Sequence, residues 1–355
     1  MSQNLTVSPS SAKPTKTTVK NWQPSAKWLT VASVFTLAVL FVVSLSVGVA
    51  DFSWAKMWQV VVSSVLGSGS ANAEFNDLSL MLASRLPRTL AVVLTGASLA
   101  VAGTLIQVVL KNRFVEPSMV GATQASALGL LVVSIVLPAS SPMLKMSVAT
   151  VTALVGMVIF MRLIKPLPVT DYLLIPLVGI VFGGVIDAIT VFIAYQTETM
   201  QMLSVWRFGD FSAVLAGRYE WLWLTGILTV IAYILADQLT IVGLGDNVAT
   251  NLGVNKKLIS GFGIGMVAMV SAVGVVTVGA IPFVGLVVPN VVSRLTGDQL
   301  RRCLPAVAML GACAVLACDI IARTIRYPFE VPVATVFGVV GAGVFLWLLL
   351  RSPIR

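Results

Sequence analysis

Two aspartates are the residues of this sequence whose placement could do chemistry, because each lies inside a long apolar run. Asp187 lies in Leu173–Tyr195 and Asp319 in Leu304–Ala322. Carboxylates at membrane depth are costly, and they commonly serve as proton relays or line substrate pathways. The alternative is a structural carboxylate between helices, and Arg323, four residues after Asp319, could form a local ion pair with it. The residues leave both roles open.

Several familiar chemistries are excluded by what the sequence lacks. It contains no histidine, which removes a Ser-His-Asp triad, a histidine-based zinc site and a histidine-ligated haem. It contains no G-x-x-x-x-G-K-[ST] motif, so any ATP hydrolysis must be carried out by a separate chain. The three cysteines lack C-x-x-C spacing, and no acidic cluster resembles a metal site. We therefore expect no catalytic residue, no metal and no cofactor.

Three arginines lie at the ends of apolar runs, where guanidinium groups could recognise anions. Arg85 and Arg88 directly precede one run, and Arg323 follows another. They could extend to lipid phosphates at the membrane surface. Alternatively, they could form a platform for carboxylates of a partner protein or for an anionic ligand, because guanidinium binds carboxylate through two parallel hydrogen bonds. The residues alone do not decide between these roles.

The connection Ile241–Val254 has the pattern of a short helix. Asp246 follows Gly245 and is a good N-cap residue, and a helix-length piece then ends at Gly253. A short helix in such a loop suits docking into the groove of a partner protein. It could equally be a plain connection between two membrane helices.

Membrane helices must position all of these groups. The chain of 355 residues is 57% hydrophobic and 10% charged, with a mean hydropathy of +0.97, whereas a soluble domain carries roughly a quarter charged residues. We predict an all-α polytopic membrane protein with about ten transmembrane helices. The predicted spans are Trp28–Ala50, Thr89–Leu110, Ser118–Leu137, Met143–Met161, Leu173–Tyr195, Trp221–Ala236, Leu258–Gly279, Ile281–Val292, Leu304–Ala322 and Val331–Leu350. The eighth is doubtful, since it would rise only about 18 Å as a helix.

Charge sets the orientation of these spans. Most of the 23 Lys and Arg fall on the side that holds both termini, and the positive-inside rule therefore places both termini in the cytoplasm. Residues 1–27, polar and rich in Ser, Thr and Pro, are predicted to be a disordered cytoplasmic tail, and residues 28–355 a single transmembrane domain. Trp54–Leu66 could form a short amphipathic helix at the membrane interface.

Four stretches of the sequence resemble one family of transporters. They are Arg85-Leu-Pro-Arg-Thr with its continuation to Gly121, the loop Gly245–Val254, the stretch Gly279–Pro289 followed by Arg294, and Asp319–Arg323 followed by Glu330-Val-Pro332. In this order they resemble the FecCD-type permease subunits of binding-protein-dependent ABC importers for iron–siderophores, haem and vitamin B12. The likeness runs from about Ser84 to Arg351.

The resemblance implies partners and a mechanism. The implied partners are a second permease chain, identical or paralogous, two ABC ATPase subunits, and a periplasmic or lipid-anchored substrate-binding protein; no nucleic acid is implied. The implied function is alternating-access transport through the inner membrane of an iron(III)–siderophore, with a catecholate type favoured, rather than vitamin B12 or haem. The alternative reading is an ion-coupled secondary transporter that uses Asp187 and Asp319 as proton sites.

The resemblance also implies roles for particular residues. Arg85, Arg88 and Arg323 match the arginines that dock the binding protein. The residues that correspond to the family's ATPase-coupling loop are Gly245, Asp246, Ala249, Leu252 and Gly253. The residues assigned to helix packing or to the transport pathway are Gly96, Gly103, Pro117, Gly121, Gly285, Pro289 and Asn290. Many family members have histidine where this chain has Asn290, and asparagine cannot titrate there.

Overall fold

The computed structural model describes residues 26–47, 81–166, 174–215 and 219–350. Every regular element within these ranges is helical, so the predicted all-α membrane class is confirmed. The predicted tail lies outside the described residues except for its last two, which begin the first helix. The predicted interfacial helix Trp54–Leu66 also lies outside them.

Thirteen α-helices are described. They are α1 (Ala26–Ser46), α2 (Leu86–Val109), α3 (Ala122–Val136), α4 (Pro142–Ile164), α5 (Leu174–Gln196), α6 (Met200–Arg207), α7 (Leu222–Ile234), α8 (Ala236–Leu244), α9 (Asp246–Asn251), α10 (Lys256–Thr277), α11 (Val284–Thr296), α12 (Leu300–Thr324) and α13 (Val333–Leu350). A π-helical turn, Met81–Arg85, leads into α2, and a 3-10 turn, Pro117–Val120, leads into α3.

Seven described helices are long and apolar enough to cross a membrane: α1, α2 with its preceding turn, α4, α5, α10, α12 and α13. The helices α7 and α8 make an eighth if they form one span bent by 62°. The helices α3 and α11 are apolar but short, at 15 and 13 residues. The count of ten spans therefore stays a prediction, because it requires both α3 and α11 to cross the membrane. The bend and the whole of α6 were not anticipated from the sequence.

The helix α2 lies at the centre of the bundle, in contact with α7, α10, α11 and α12. Glycine pairs make its closest crossings possible. A β-carbon on Gly103 would lie 2.0 Å from the carbonyl oxygen of Gly285 on α11, and one on Gly96 would lie 2.6 Å from that of Gly311 on α12. Small residues let helices approach this closely in lipid, where packing replaces the hydrophobic effect.

The antiparallel pairing of α2 and α12 separates two ends of the bundle. Arg88 near the start of α2 contacts Asp319 near the end of α12. At the other end of α2, Gly245 approaches the Lys111 ammonium group. We call these the arginine end, which carries Arg85, Arg88 and Arg323, and the loop end, which carries Gly245–Gly253.

Three segments at helix ends meet beside α6 and satisfy one another's backbone groups. Ala280 N–H donates to the Trp206 carbonyl at 3.0 Å, and Gly209 N–H donates to the Ala280 carbonyl at 3.1 Å. Asp210 N–H donates to the Val278 carbonyl at 2.8 Å, and Ala334 N–H to the Gly209 carbonyl at 3.0 Å. We call these segments, residues 206–211, 278–280 and 333–334, the chain-break junction. Irregular backbone survives at membrane depth only when protein groups pair with it in this way.

Candidate functional site

The Asp319 carboxylate lies fully buried at the arginine end, between two arginines. Arg88 donates to its Oδ1 atom from Nη2 at 2.9 Å and from Nε at 3.2 Å. Arg323 Nη2 lies 2.6 Å from Oδ2, a close charge contact without hydrogen-bond alignment. The side chains of Asp319, Arg323 and Arg88 are 0%, 5% and 11% exposed. The i,i+4 pair of Asp319 with Arg323 anticipated from the sequence is therefore present.

Two further contacts complete this cluster. Arg88 Nη1 lies 2.7 Å from Glu330 Oε2, in the segment that precedes α13. Arg323 donates to the carbonyls of Ser44 and Val47 at 3.0 and 2.8 Å, and to the Ser44 hydroxyl at 2.6 Å. We call Arg88, Asp319, Arg323 and Glu330 the arginine-end network. It joins α1, α2, α12 and the approach to α13, and its two cations balance its two carboxylates.

Arg85 is the most accessible of the three arginines expected to dock a partner. Its side chain is partly exposed and donates from Nη1 to the Leu45 carbonyl at 2.7 Å. The three arginines expected to dock a partner thus lie together, yet Arg88 and Arg323 point inward. The sequence could not show this, because their partners Glu330 and Ser44 are distant along the chain.

Asp187, the second carboxylate inside a span, has a different partner and setting. It forms an ion pair with Arg207, the last residue of α6, and both side chains are 39% exposed. The sequence did not reveal Arg207 as a partner, because a helix of 8 residues has no span-length signature. Each of the two carboxylates in question therefore has a cationic partner.

At the loop end, α9 is the short helix expected between Gly245 and Gly253. The prediction that Asp246 is its N-cap is wrong: Gly245 takes that position with φ +126, and Asp246 is the first helical residue. Ala249 is buried, whereas Leu252 is exposed. Val248 is exposed as well, four residues before Leu252, so the two form an apolar edge along α9. Leu244, the last residue of α8, is also exposed. Gly253 ends the helix with φ +71.

Pro289 and Asn290 rearrange the hydrogen bonds inside α11. Proline has no N–H, so Pro289 cannot donate to the carbonyl four residues earlier, and Gln107 Nε2 instead donates to that Gly285 carbonyl at 3.1 Å. Asn290 Nδ2 donates to the carbonyls of Arg113 and Leu286 at 2.8 and 2.7 Å. The Asn290 side chain thus binds α11 to the loop after α2.

Pro117 and Gly121 flank the turn that precedes α3. Gly121 has φ +75, and a β-carbon there would lie 2.7 Å from the Phe182 ring. Pro117 packs against Gly285, where a β-carbon would lie 2.9 Å from its Cδ atom. Apart from Pro289, which lies inside α11, the glycines and prolines singled out in the sequence therefore lie at close approaches or at helix ends.

Glu116, whose role the sequence analysis missed, is a buried carboxyl beside this turn. The Ser118 hydroxyl donates to its Oε1 atom at 2.5 Å, and the backbone N–H of Phe283, at the start of α11, donates to the same carboxyl. Burial raises the pKa of Glu116 above its ordinary value, and the two hydrogen bonds oppose that shift. Its position before Pro117 gave no signal of this contact, because α11 lies far along the chain.

The sequence matches the FecCD transport family across residues 36–351. It is 37% identical over 315 residues to the petrobactin import system permease protein YclN of Bacillus subtilis, covering 89% of this chain and 96% of that protein. It is 40% identical over 272 residues to the ferric-anguibactin transport system permease protein FatD of Vibrio anguillarum, covering 77% of this chain and 87% of that protein. A solved metal-chelate type ABC transporter in an inward-facing conformation has the same fold, with a TM-score of 0.76 at 21% identity, covering 92% of this chain and 100% of that chain.

Proposed function

This chain belongs to the FecCD transport family, and on that premise we propose that it carries an iron(III)–siderophore chelate through the inner membrane. It is a permease, the multi-pass membrane subunit of an ABC importer, and not the subunit that hydrolyses ATP. The observation that supports this cargo is the 37% and 40% sequence identity with permeases named for petrobactin and anguibactin. A catecholate-type chelate is the finer form of the proposal.

The proposed mechanism is alternating access driven by partner chains. Two permease chains enclose the pathway, two ATPase chains bind the loop end, and a binding protein delivers the chelate to the arginine end. The exposed Val248 and Leu252 support the coupling role of α9, because exposed apolar residues at this spacing suit a groove in a partner. Affinity for the chelate resides in the binding protein, so the permease needs no deep site for the whole cargo.

Docking of the binding protein is proposed for Arg85, Arg88 and Arg323. Their shared position at the arginine end supports it, and charge pairs across an interface increase the rate and specificity of association. In this arrangement Arg85 meets the partner's carboxylate first, since it is the most accessible of the three. Arg88 becomes accessible to a second carboxylate if Glu330 withdraws, because Glu330 is the more exposed of its two acidic partners.

The ion-coupled alternative has no observation in its favour among the described residues. A proton relay needs a carboxylate that gains and loses its proton during transport. Asp319 is held between two arginines and Asp187 by Arg207, so neither carboxylate could take part in a relay without breaking these contacts.

Uptake by the reconstituted importer tests the proposed function. The permease, its ATPase and its binding protein are placed in proteoliposomes with radioactive ferric petrobactin outside. We expect uptake that requires ATP and the binding protein and that persists when a protonophore collapses the proton gradient. Uptake that needs neither partner and stops with the protonophore would establish the ion-coupled alternative instead.

Two variants test the proposed surfaces separately. Arg85→Glu should weaken docking of the binding protein at least about tenfold at low salt, with a smaller effect at high salt. The matched control is Lys145→Glu, the same charge change at the partly exposed start of α4. Equal affinities for the two variants would remove the docking role of Arg85.

Replacing residues 246–253 with a Gly-Ser linker should leave membrane insertion intact and abolish co-purification of the ATPase. The control is the same replacement in the exposed connection 138–141. If the ATPase still co-purifies with the first variant, α9 is not the main coupling element.

A further inference from the structure

The ion pair of Asp187 and Arg207 lies near the middle of the membrane. Asp187 is near the centre of α5, which has the length of a full span. The chain turns at Thr197–Thr199, and α6 then folds back along α5 until Arg207 reaches Asp187. Arg207 therefore lies at mid-depth although it belongs to no predicted span.

The pair is exposed on the surface of this chain, not enclosed by it. Both side chains are 39% exposed, and apolar neighbours on the same helix, Ile180, Val181 and Phe192, are more exposed still. Ionised residues inside a membrane face either the interior of a bundle or a water-filled space, because contact with lipid is costly. Since this chain alone does not enclose the pair, we assign this face of α5 and α6 to the water-filled pathway that the two permease chains of the proposed function enclose.

Arg207 also lines a cavity of about 270 Å³. The opposite walls include Gln124 on α3 and Ser271 on α10. Neither the Ser271 hydroxyl nor the Gln124 Oε1 atom has a hydrogen-bond partner among the described residues, although both atoms are buried and Ser271 is only 3% exposed. Buried polar atoms are rarely left unpaired, so these two residues on the cavity wall indicate a polar partner. The Ser271 hydroxyl can donate to an anionic oxygen, and the Gln124 amide can do so through its Nε2 atom, since its Oε1 atom only accepts.

Glu116 is the acidic residue on the cavity wall. Its carboxyl is already occupied by the Ser118 hydroxyl and the Phe283 N–H. The cavity therefore offers a guanidinium and hydroxyl and amide groups, and the acidic side chain on its wall is already engaged by two donors.

We propose that Arg207 and the cavity beside it, with Ser271 and Gln124, form a mid-membrane binding site for an anionic oxygen group, carboxylate or catecholate, of the transported chelate. Asp187 holds the guanidinium in place when no cargo is present, and the cargo's anionic group replaces it during passage. Guanidinium suits this exchange because it binds planar anionic oxygens through paired hydrogen bonds. The identity of the cargo rests on the proposed function, whereas the preference for anions does not.

Thiol labelling tests the aqueous, anion-selective character of the site without any cargo. Ser204→Cys places a thiol on α6, one turn before Arg207, and is treated with an anionic sulfonatoethyl or a cationic trimethylammonium methanethiosulfonate. Val155→Cys is the matched control, since Val155 is 53% exposed near the centre of α4, a helix of the same 23 residues as α5. We expect Ser204→Cys to react at least about tenfold faster than Val155→Cys, because only the former borders water.

The same labelling reports the charge at the site. Asp187→Asn should raise the ratio of anionic to cationic reagent rates at Ser204→Cys, and Arg207→Gln should lower it, each by roughly threefold, as one charge is removed. Equal rates at positions 204 and 155, or a rate ratio unchanged in both charge variants, would overturn the proposal.

Uptake of ferric petrobactin by the reconstituted importer tests the binding role. Arg207→Gln should lower uptake about tenfold or more, the effect of losing one charge-assisted contact, and Arg207→Lys should recover a good part of it. Asp187→Asn with Arg207→Gln removes both charges and separates two explanations. A merely structural pair predicts that the double variant regains uptake, whereas a binding site predicts that it stays as low as Arg207→Gln.

Ser271→Ala supplies a variant that leaves the pair intact, and it should lower uptake by about threefold through the loss of one hydrogen bond. Uptake by Arg207→Gln at the wild-type rate, or recovered uptake in the double variant, would contradict the proposed binding site. A wild-type importer that takes up no ferric petrobactin while the labelling results hold would contradict the proposed cargo and leave the anion site standing.

Discussion

Asp319 and Asp187 look alike in the sequence, but their surroundings in the structure are opposite. Each is a single carboxylate in a long apolar helix. Asp319 is fully buried between two arginines, one of which also pairs with Glu330, whereas Asp187 has one arginine partner on an exposed face. Burial and the number of partners, and not the residue type, therefore decide what each carboxylate can do.

The difference is energetic as well as geometric. A buried charge depends on its partners, because removal of one leaves the others without water or a counter-ion. An exposed pair exchanges its partner for water at small cost. The arginine-end network is therefore suited to hold helices together, and the Asp187–Arg207 pair is suited to open and close.

The largest expected effect comes from Asp319→Asn. It leaves Arg88 and Arg323 buried with one carboxylate fewer, so we expect the free energy of unfolding to fall by about 3–5 kcal/mol. The measurement is thermal unfolding in detergent with a thiol-reactive dye, since Cys303, Cys313 and Cys318 are buried and become reactive on unfolding. Loss of stability no greater than in Asp187→Asn would contradict the comparison.

A double-mutant cycle should show the same contrast in coupling. Arg88→Gln is expected to cost about 2 kcal/mol less in the Asp319→Asn background than in the wild type, because the two side chains act as one unit. The same cycle on Asp187 and Arg207 should give a coupling below about 1 kcal/mol, since solvent screens the pair. Equal couplings in the dye assay would break the distinction between the regions.

Glu330→Gln should have an intermediate effect. The amide still accepts a hydrogen bond from Arg88 but no longer balances its charge, and Glu330 is the outermost member of the network. We expect a loss of about 1 kcal/mol in unfolding free energy, to be measured in the same assay. A loss as large as that of Asp319→Asn would show that the network depends equally on both carboxylates.

Asp237→Asn should have the smallest effect. Asp237 and Arg301 form an ion pair in which both side chains are more than half exposed. We expect no measurable change in thermal unfolding, because water replaces either partner readily. A clear loss of stability here would show that exposure does not rank the ion pairs of this protein.

Local patterns in the sequence predicted what depends on neighbouring residues, and little more. The apolar runs predicted most helices to within a few residues, and the four-residue spacing predicted the pair of Asp319 with Arg323. The contacts of Arg88 with Glu330 and of Arg323 with Ser44 could not be predicted, because they depend on how distant helices pack. The helix α6, which folds back along α5, was missed because a helix this short lacks the length of a membrane span.

The order of protein synthesis gives the chain-break junction a further consequence. The carbonyls of Trp206 and Gly209 accept hydrogen bonds from Ala280 and Ala334, which the ribosome makes much later. Until those residues arrive, the nascent segment carries unpaired backbone groups that a bilayer does not tolerate. Residues 206–211 therefore reach their final position only after the last helix has been inserted. A chain that stops after α12 would leave the Gly209 carbonyl unpaired.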